Sequence, residues 1–588
     1  MVASTPAKAT SLLSSPDSFY TAKDSSEEPS TDTSSLGNPL SSPYRHVRQL
    51  PHELKEHCQI FLEEQLCKPV AVRQLPIPEV SNSFPDVCAV SLLNSILGAG
   101  GSRKPPTSKA VMVPPASHLA LLNTIVIHPT YTSRAETLEH LDTSTQALAY
   151  LRNLLAMVGP LNADFRTAFQ FHSIHRWTRF PGDGGHRDND SDMSEGGEDY
   201  DGDHLRGKMA NEGSLWSRGQ DFWSTVGWAF NCSTLHPHRW RYWKTWLEFM
   251  MDVIEADWAE RGRRDVEAHE ANGGVGAVPV SHRSQSLMFT YMDQQTGRHH
   301  GSKAIMKAIL AAGDSVSTSF TEIFDKEHKG PRKQPKKRKR GQLDLQNDQY
   351  GDYFDDESMS SGVSEPPTPE KPREQRNKFP FGTTHSGLVD STALRLRLFK
   401  MLSEVTHVLR SPADLDKLYE DFATAVKLLP LQTFSVIVSQ RPSPLLMETH
   451  VSLTRELFRL LLPSSYKDPR KVDREAHLEG SITESILEQC YIPHPANTVA
   501  LEDNAKLSLV VENAIHVMWK CDALRMTKSF VDAAEKGIRL REEKATRKRT
   551  GKLRAQKNDT TAQDILNNSS RRIQLLLEVI EAAEGMAE

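Results

Sequence analysis

Pro237-His238-Arg239-Trp240-Arg241-Tyr242-Trp243-Lys244-Thr245-Trp246-Leu247-Glu248-Phe249-Met250-Met251-Asp252-Val253-Ile254 is the stretch on which the fold class turns. Proline at the first position of a helix costs nothing, because the N–H it lacks would have no partner there. From that start Trp240, Trp243, Leu247, Met250, Ile254 and Trp258 recur at three- and four-residue steps, and Tyr242, Trp246, Phe249 and Val253 form a second stripe beside them. Two adjacent apolar stripes describe a helix covered on both sides, a central member of a bundle. Seven of the nine tryptophans lie between Trp216 and Trp258. The same residues have a second use, as an aromatic anchor for a partner with Trp246 and Phe249 exposed. Stacking on nucleic acid beside Arg239, Arg241 and Lys244 fits less well, since stacking platforms expose rings on sheets or loops.

Upstream, an apolar segment over about 219–232 precedes this helix. A further helix is predicted between Asp142 and Val158, where Leu148, Leu151, Leu154, Leu155 and Val158 share one face and Gly159-Pro160 supplies the cap and the stop. Downstream, less regular helices fill 284–325. Periodicity resumes with Leu394, Leu398, Met401, Leu402, Val405 and Leu409, then Leu415, Leu418, Tyr419, Phe422 and Val426, and continues over 444–463 and 501–535. Ile573, Leu576, Leu577 and Ile580 mark a last helix. Sustained alternation of apolar and polar residues is scarce, so no convincing sheet is expected. The pattern predicts an all-α fold, an irregular helical bundle or HEAT/TPR-like solenoid in two blocks. The His-Pro pairs at 128, 236 and 494 share no common interval, so no named repeat family is indicated.

Composition divides these blocks. The chain of 588 residues is longer than one hydrophobic core usually supports. Residues 1–45 are rich in Ser, Thr and Pro, with too few apolar groups to offset the entropy of ordering, and read as a disordered tail. The first block occupies 46–180 and, with its aromatic part, 215–327. Between them 181–214 forms an acidic, Gly-rich loop, with nine carboxylates between Pro181 and His204. A linker over 328–390 carries basic, acidic and Pro-rich runs in succession. The second block covers 391–536, followed by a basic segment at 537–560 and the C-terminal helix at 561–588.

Net charge is only −5, so the useful charge is local. In Pro331 to Arg340, seven of ten side chains are cationic and the flanks cannot fold. Lys336, Lys337, Arg338, Lys339 and Arg340 therefore read as a nuclear import signal for an import receptor, against the plainer reading of a solvated linker. Thr5, Ser42 and Thr368 each precede a proline with a basic residue two positions further on. That spacing resembles cyclin-dependent kinase substrates, although chance matches are expected in a Pro- and Ser-rich chain. The basic segment from Arg539 to Lys557, with Arg547, Lys548 and Arg549 at its centre, is either a solvated helix or a contact for nucleic-acid phosphates.

The six cysteines are scattered and show no CxxC, which fits a reducing compartment. Cys232-x3-His236-x-His238, even with His172 and His175 upstream, matches no common zinc spacing, and a buried thiol beside helix-start histidines is the simpler reading. Gly98, Gly100 and Gly101 do not form a phosphate-binding loop, and no GxSxG, HExxH, GxGxxG or kinase set occurs. No apolar run is long enough to cross a bilayer, and no secretory signal opens the chain. The expectation is a soluble nuclear scaffold that binds protein partners, is regulated by proline-directed phosphorylation, and has no catalytic site, cofactor, metal or small-molecule substrate. The alternative is a chromatin- or RNA-associated protein that uses its basic segments on phosphates.

Overall fold

The computed structural model describes residues 44–67, 89–101, 110–171, 205–295, 301–314, 317–329, 381–546 and 557–585. Helix dominates, as the periodicities require, in the first block and in the second. The first block begins with α1 (His52–Leu62), α2 (Ala89–Gly101), α3 (Ala116–Ile127) and α4 (Leu138–Val158). α4 starts four residues before the predicted boundary because the Thr137 hydroxyl accepts from the His140 amide at its N-terminus. It stops at Gly159, whose φ of 81° is readily adopted only without a side chain. The Tyr44 ring also packs where a Cβ at Gly159 would sit.

A sheet missed by the sequence pattern lies at the edge of this block. Val47–Gln49 (β1) pairs in parallel with Val111–Val113 (β2), Arg48 opposite Met112. Three-residue strands are too short to show alternation.

The aromatic part contributes α5 (Phe222–Leu235), capped by Asp221 accepting from the Ser224 amide at 2.7 Å, and α6 (Pro237–Ala271). α6 runs eleven residues past the end of its apolar stripes near 260. There Arg263 bridges Glu260 and Glu267 along one face, replacing apolar burial with ion pairs. α7 (Leu287–Asp293) and α8 (Gly301–Ile309) follow.

The second block opens with α9 (Phe381–Leu409), which begins inside the segment the composition assigned to a linker. α10 (Pro412–Leu428) starts from a reciprocal capping box between Ser411 and Asp414. α11 (Leu431–Val438), α12 (Met447–Leu461), α13 (Leu501–Lys520), α14 (Lys528–Thr546) and α15 (Lys557–Gly585) complete it. The apolar run over 501–535 is thus two helices, parted by a break at Cys521. α13 sits at the centre, packed on α11, α12, α14 and α15.

α9 joins the blocks. It packs on α5 and α6 behind it and on α10 and α11 ahead of it, and the buried apolar side chains form one continuous cluster. At Gly387 a Cβ would collide with the Ser233 carbonyl, so glycine allows α9 to cross the end of α5 at this distance. Among the described residues, no helix is long and apolar enough to cross a membrane.

Candidate functional site: the head of the aromatic helix

Trp246 and Phe249 are core residues, which corrects their reading as an exposed anchor. Both are fully buried, as is Trp243 on the neighbouring stripe. Trp246 donates from Nε1 to Asn123 Oδ1 on α3 at 2.8 Å and meets Trp243 edge to face. Phe249 takes Phe165 and Phe169 edge-on at 6.2 and 6.1 Å. The physical reason is that α6 is covered by α3 on one side and by α5 and α9 on others, which uses both stripes within the chain. The other predicted site residues, Lys336 to Arg340, Thr5, Ser42, Thr368 and Arg547 to Arg549, lie outside the described residues, as do His172 and His175.

The polar chemistry gathers at the first turns of α6. Arg239 is completely buried, and so is its partner Glu327. Nε of Arg239 donates to Glu327 Oε2 at 2.9 Å, Nη1 to the Thr132 hydroxyl at 2.8 Å, and Nη2 to the Ile127 carbonyl at the end of α3. The Ile323 amide donates to Glu327 Oε1 at 3.0 Å. Burial pushes the Glu327 carboxyl above its ordinary value, while Arg239 and the Ile323 amide pull it back. One guanidinium thereby fastens α6, the end of α3 and the strap formed by residues 320–329. Arg218 grips the same strap, with Nη1 and Nη2 on the two Asp325 oxygens at 3.1 and 3.3 Å.

Histidines surround this joint. His238 Nε2 lies 3.1 Å from the His328 carbonyl, and His328 Nδ1 lies 2.5 Å from Glu322. The His236 ring sits 5.6 Å from that of His328 and 6.2 Å from that of His238. Burial, then the neighbouring His328 and His238, hold His236 down at about 4. Burial and the cations Arg239, Arg218 and Arg134 hold His128 at about 3. His236 and His128 are therefore neutral at neutral pH. Cys232 is wholly buried on α5, and burial pushes its thiol well up. Among the described residues, no group of three His, Cys, Asp or Glu side chains is placed to hold a metal ion.

The second anchor comes from α9. Asp390 accepts from Trp240 Nε1 and from Lys244 Nζ, both at 2.7 Å, one turn along α6 from Arg239. Further along, Arg397 reaches Glu255 at 2.7 Å and Asp252 at 2.8 Å, which raises its pKa. Arg395 turns the other way into the core, donating to the Ile309 carbonyl at 2.6 Å and to Ser391 Oγ at 3.0 Å, with its guanidinium 4.1 Å from the Phe230 ring centroid. Sequence reading missed Glu327, Asp390, Arg395 and Arg397. Only the arginines left a trace, as cations within the apolar run Leu394-Arg395-Leu396-Arg397-Leu398-Phe399.

The arrangement is a mechanical joint: segments on either side of residues 330–380 return to the head of one helix. No family model, no curated protein and no solved structure matches this chain.

Proposed function

We propose that this chain is a non-enzymatic nuclear scaffold that binds protein partners and carries its import and phosphorylation signals within residues 330–380. The observation that carries the reading is the double anchorage at the head of α6. Glu327 and His328 dock there from one side, and Asp390 docks there from the other. The intervening residues include the basic run Lys336 to Arg340 and Thr368. Anchoring the chain on both sides of these residues keeps a linear signal attached to a stable platform. An import receptor reads such a signal by its charge, and phosphorylation of Thr368 adds about two negative charges to the same stretch of sequence.

Replacing Lys336 to Arg340 with glutamines in the full tagged chain is expected to abolish nuclear accumulation and to leave the melting temperature unchanged. Unchanged nuclear accumulation overturns the import part of the proposal. Affinity purification from nuclei is expected to recover stoichiometric protein partners that survive nuclease treatment. Partners that vanish with nuclease, together with steep salt dependence of binding to nonspecific duplex or RNA, would favour direct phosphate contact through Arg547, Lys548 and Arg549 instead.

A further inference from the structure

A cleft of about 230 Å³ opens where α7, α8, α9 and α10 meet. Its polar lining comprises Gln295, Ser302, Thr406, Arg410, Asp414 and Lys417. Thr406 is 2% exposed, and its hydroxyl has no hydrogen-bond partner. Threonines elsewhere in these helices satisfy theirs on the carbonyl four residues back, Thr392 on Leu388 and Thr290 on Ser286. Thr406 does not. The Ser302 hydroxyl is also buried without a partner, in the first turn of α8, where backbone N–H groups have no intrahelical acceptor. Burying a hydroxyl unsatisfied is unfavourable, so two of them facing one cleft indicate a missing acceptor.

The charge around the cleft says what kind of acceptor. Arg410 and Lys417 bring two cations, against one carboxylate, Asp414. That carboxylate is engaged by the Ser411 amide at 3.2 Å and the Ser411 hydroxyl at 2.7 Å. The lining is thus donor-rich and net positive. The volume falls below that of pockets for drug-sized ligands, roughly 300 Å³ upward, which suits one compact anionic group better than a nucleotide or cofactor.

We propose that this cleft binds a phosphate monoester on a threonine or serine side chain. Arg410 and Lys417 supply the charge, and Ser302 and Thr406 donate their hydroxyls to its oxygens. A phosphate monoester carries up to about two negative charges and three strong acceptors, which matches this set. The phosphate comes either from the chain's own Thr368 or from a separate partner. Only the first source rests on the regulatory part of the proposed function.

The test is fluorescence anisotropy with the full chain. The probes are a labelled peptide of residues 362–374 phosphorylated at Thr368, its unphosphorylated twin, and inorganic phosphate as competitor. The phosphopeptide is expected to bind at least roughly tenfold more tightly than its twin, and inorganic phosphate is expected to displace it. Arg410→Gln and Lys417→Gln are each expected to weaken it severalfold. Thr406→Val keeps the shape and removes a hydroxyl that lacks a partner, so the melting temperature is expected to hold or rise while phosphopeptide binding falls. Equal binding of the two peptides, or wild-type phosphopeptide affinity in Thr406→Val, overturns the proposal. Chain phosphorylated at Thr368 distinguishes the sources. If it no longer takes up the added peptide, the cleft is filled in cis. If it still does, the phosphate belongs to a partner, and the cleft stands while the regulatory role of Thr368 falls.

Discussion

Arg239 on α6 and Arg541 on α14 are both completely buried, yet they are held in different ways. Arg239 has a carboxylate, a hydroxyl and a carbonyl, drawn from two segments far apart in the chain, 127–132 and Glu327. Arg541 has two carbonyls, Ile492 at 3.0 Å and His494 at 3.4 Å, both reached from Nη1, while its Nε and Nη2 have no partner. Arg395, at the seam between the blocks, lies between these extremes, with hydroxyls and carbonyls but no carboxylate. Burial draws Arg395 down to about 9 and Arg541 to about 10, so both stay cationic at neutral pH. A buried cation paired and hydrogen-bonded on all sides organises what surrounds it, whereas a partly satisfied one mainly occupies space. The buried arginine of the first block is therefore a fully partnered polar joint, and that of the second a partly satisfied cation in its core.

The largest effects are expected in the first block. Arg239→Ala leaves Glu327 buried without its counter-ion and should cost about 3–5 kcal/mol in urea unfolding, with Glu327→Gln costing less because it keeps acceptors. Trp246→Ala should cost a similar amount, about 3–5 kcal/mol, by removing a buried ring and stranding Asn123. A Trp246→Ala protein as stable as wild type would break the assignment of both stripes to the core.

Acid should also strike the first block harder. His118, His128 and His236 there are held at about 4, 3 and 4, and His238 is lowered too; in the second block His450 is held at about 4, and His477, His494 and His516 are lowered, with burial the main cause in each case. A histidine depressed in the folded state stays neutral while the unfolded chain takes up protons, so stability present above about pH 6.5 is lost as pH falls toward 4. Glu248, Asp257 and Glu327 are raised by burial and act in the opposite sense, but only near the carboxylate range. The urea midpoint should therefore fall between about pH 6.5 and 5. Replacing His128 and His118 with glutamine should flatten that fall more than replacing His450. An unchanged midpoint across this window would contradict the neutral, buried state of these rings.

The elements legible in the sequence were those whose signals are local. Gly159-Pro160 ends α4, Pro237 opens α6, and the stripes from Trp240 to Trp258 give a helix covered on both sides. What covers it is not local. Trp246 and Phe249 carry the same pattern whether a partner or α3 lies opposite, which is why an anchor and a core were both consistent with the sequence. The β1–β2 ladder is too short for alternation to register, and α6 beyond residue 260 is sustained by Arg263 pairs rather than by a stripe. The joint at the head of α6 was least legible, because Glu327 and Asp390 look like any acidic residue beside a linker until the fold brings Glu327 to Arg239 and Asp390 to Trp240 and Lys244.

The smaller effects test the other side of the comparison. Arg395→Met removes a cation that ties the end of α8 to α9, leaving the Ile309 carbonyl without this donor, and should cost about 1–3 kcal/mol. Arg541→Met should cost less. It gives up the bonds to the Ile492 and His494 carbonyls, worth about 1.5–3 kcal/mol for a charged donor. Against that, it removes the unpartnered Nε and Nη2 and relieves the cost of keeping a cation from water, each about 1–3 kcal/mol for an unsatisfied group. The methionine chain can follow the path of the arginine stem beside Gly537, where a Cβ would collide with the Ile492 carbonyl. These terms nearly cancel, so the net change is expected within about 1 kcal/mol of zero, in either direction. Measured beside Arg239→Ala in the same urea titration, a loss at Arg541 as large as that at Arg239 would mean that the second block also hangs on a polar joint, and the contrast between the blocks would fail.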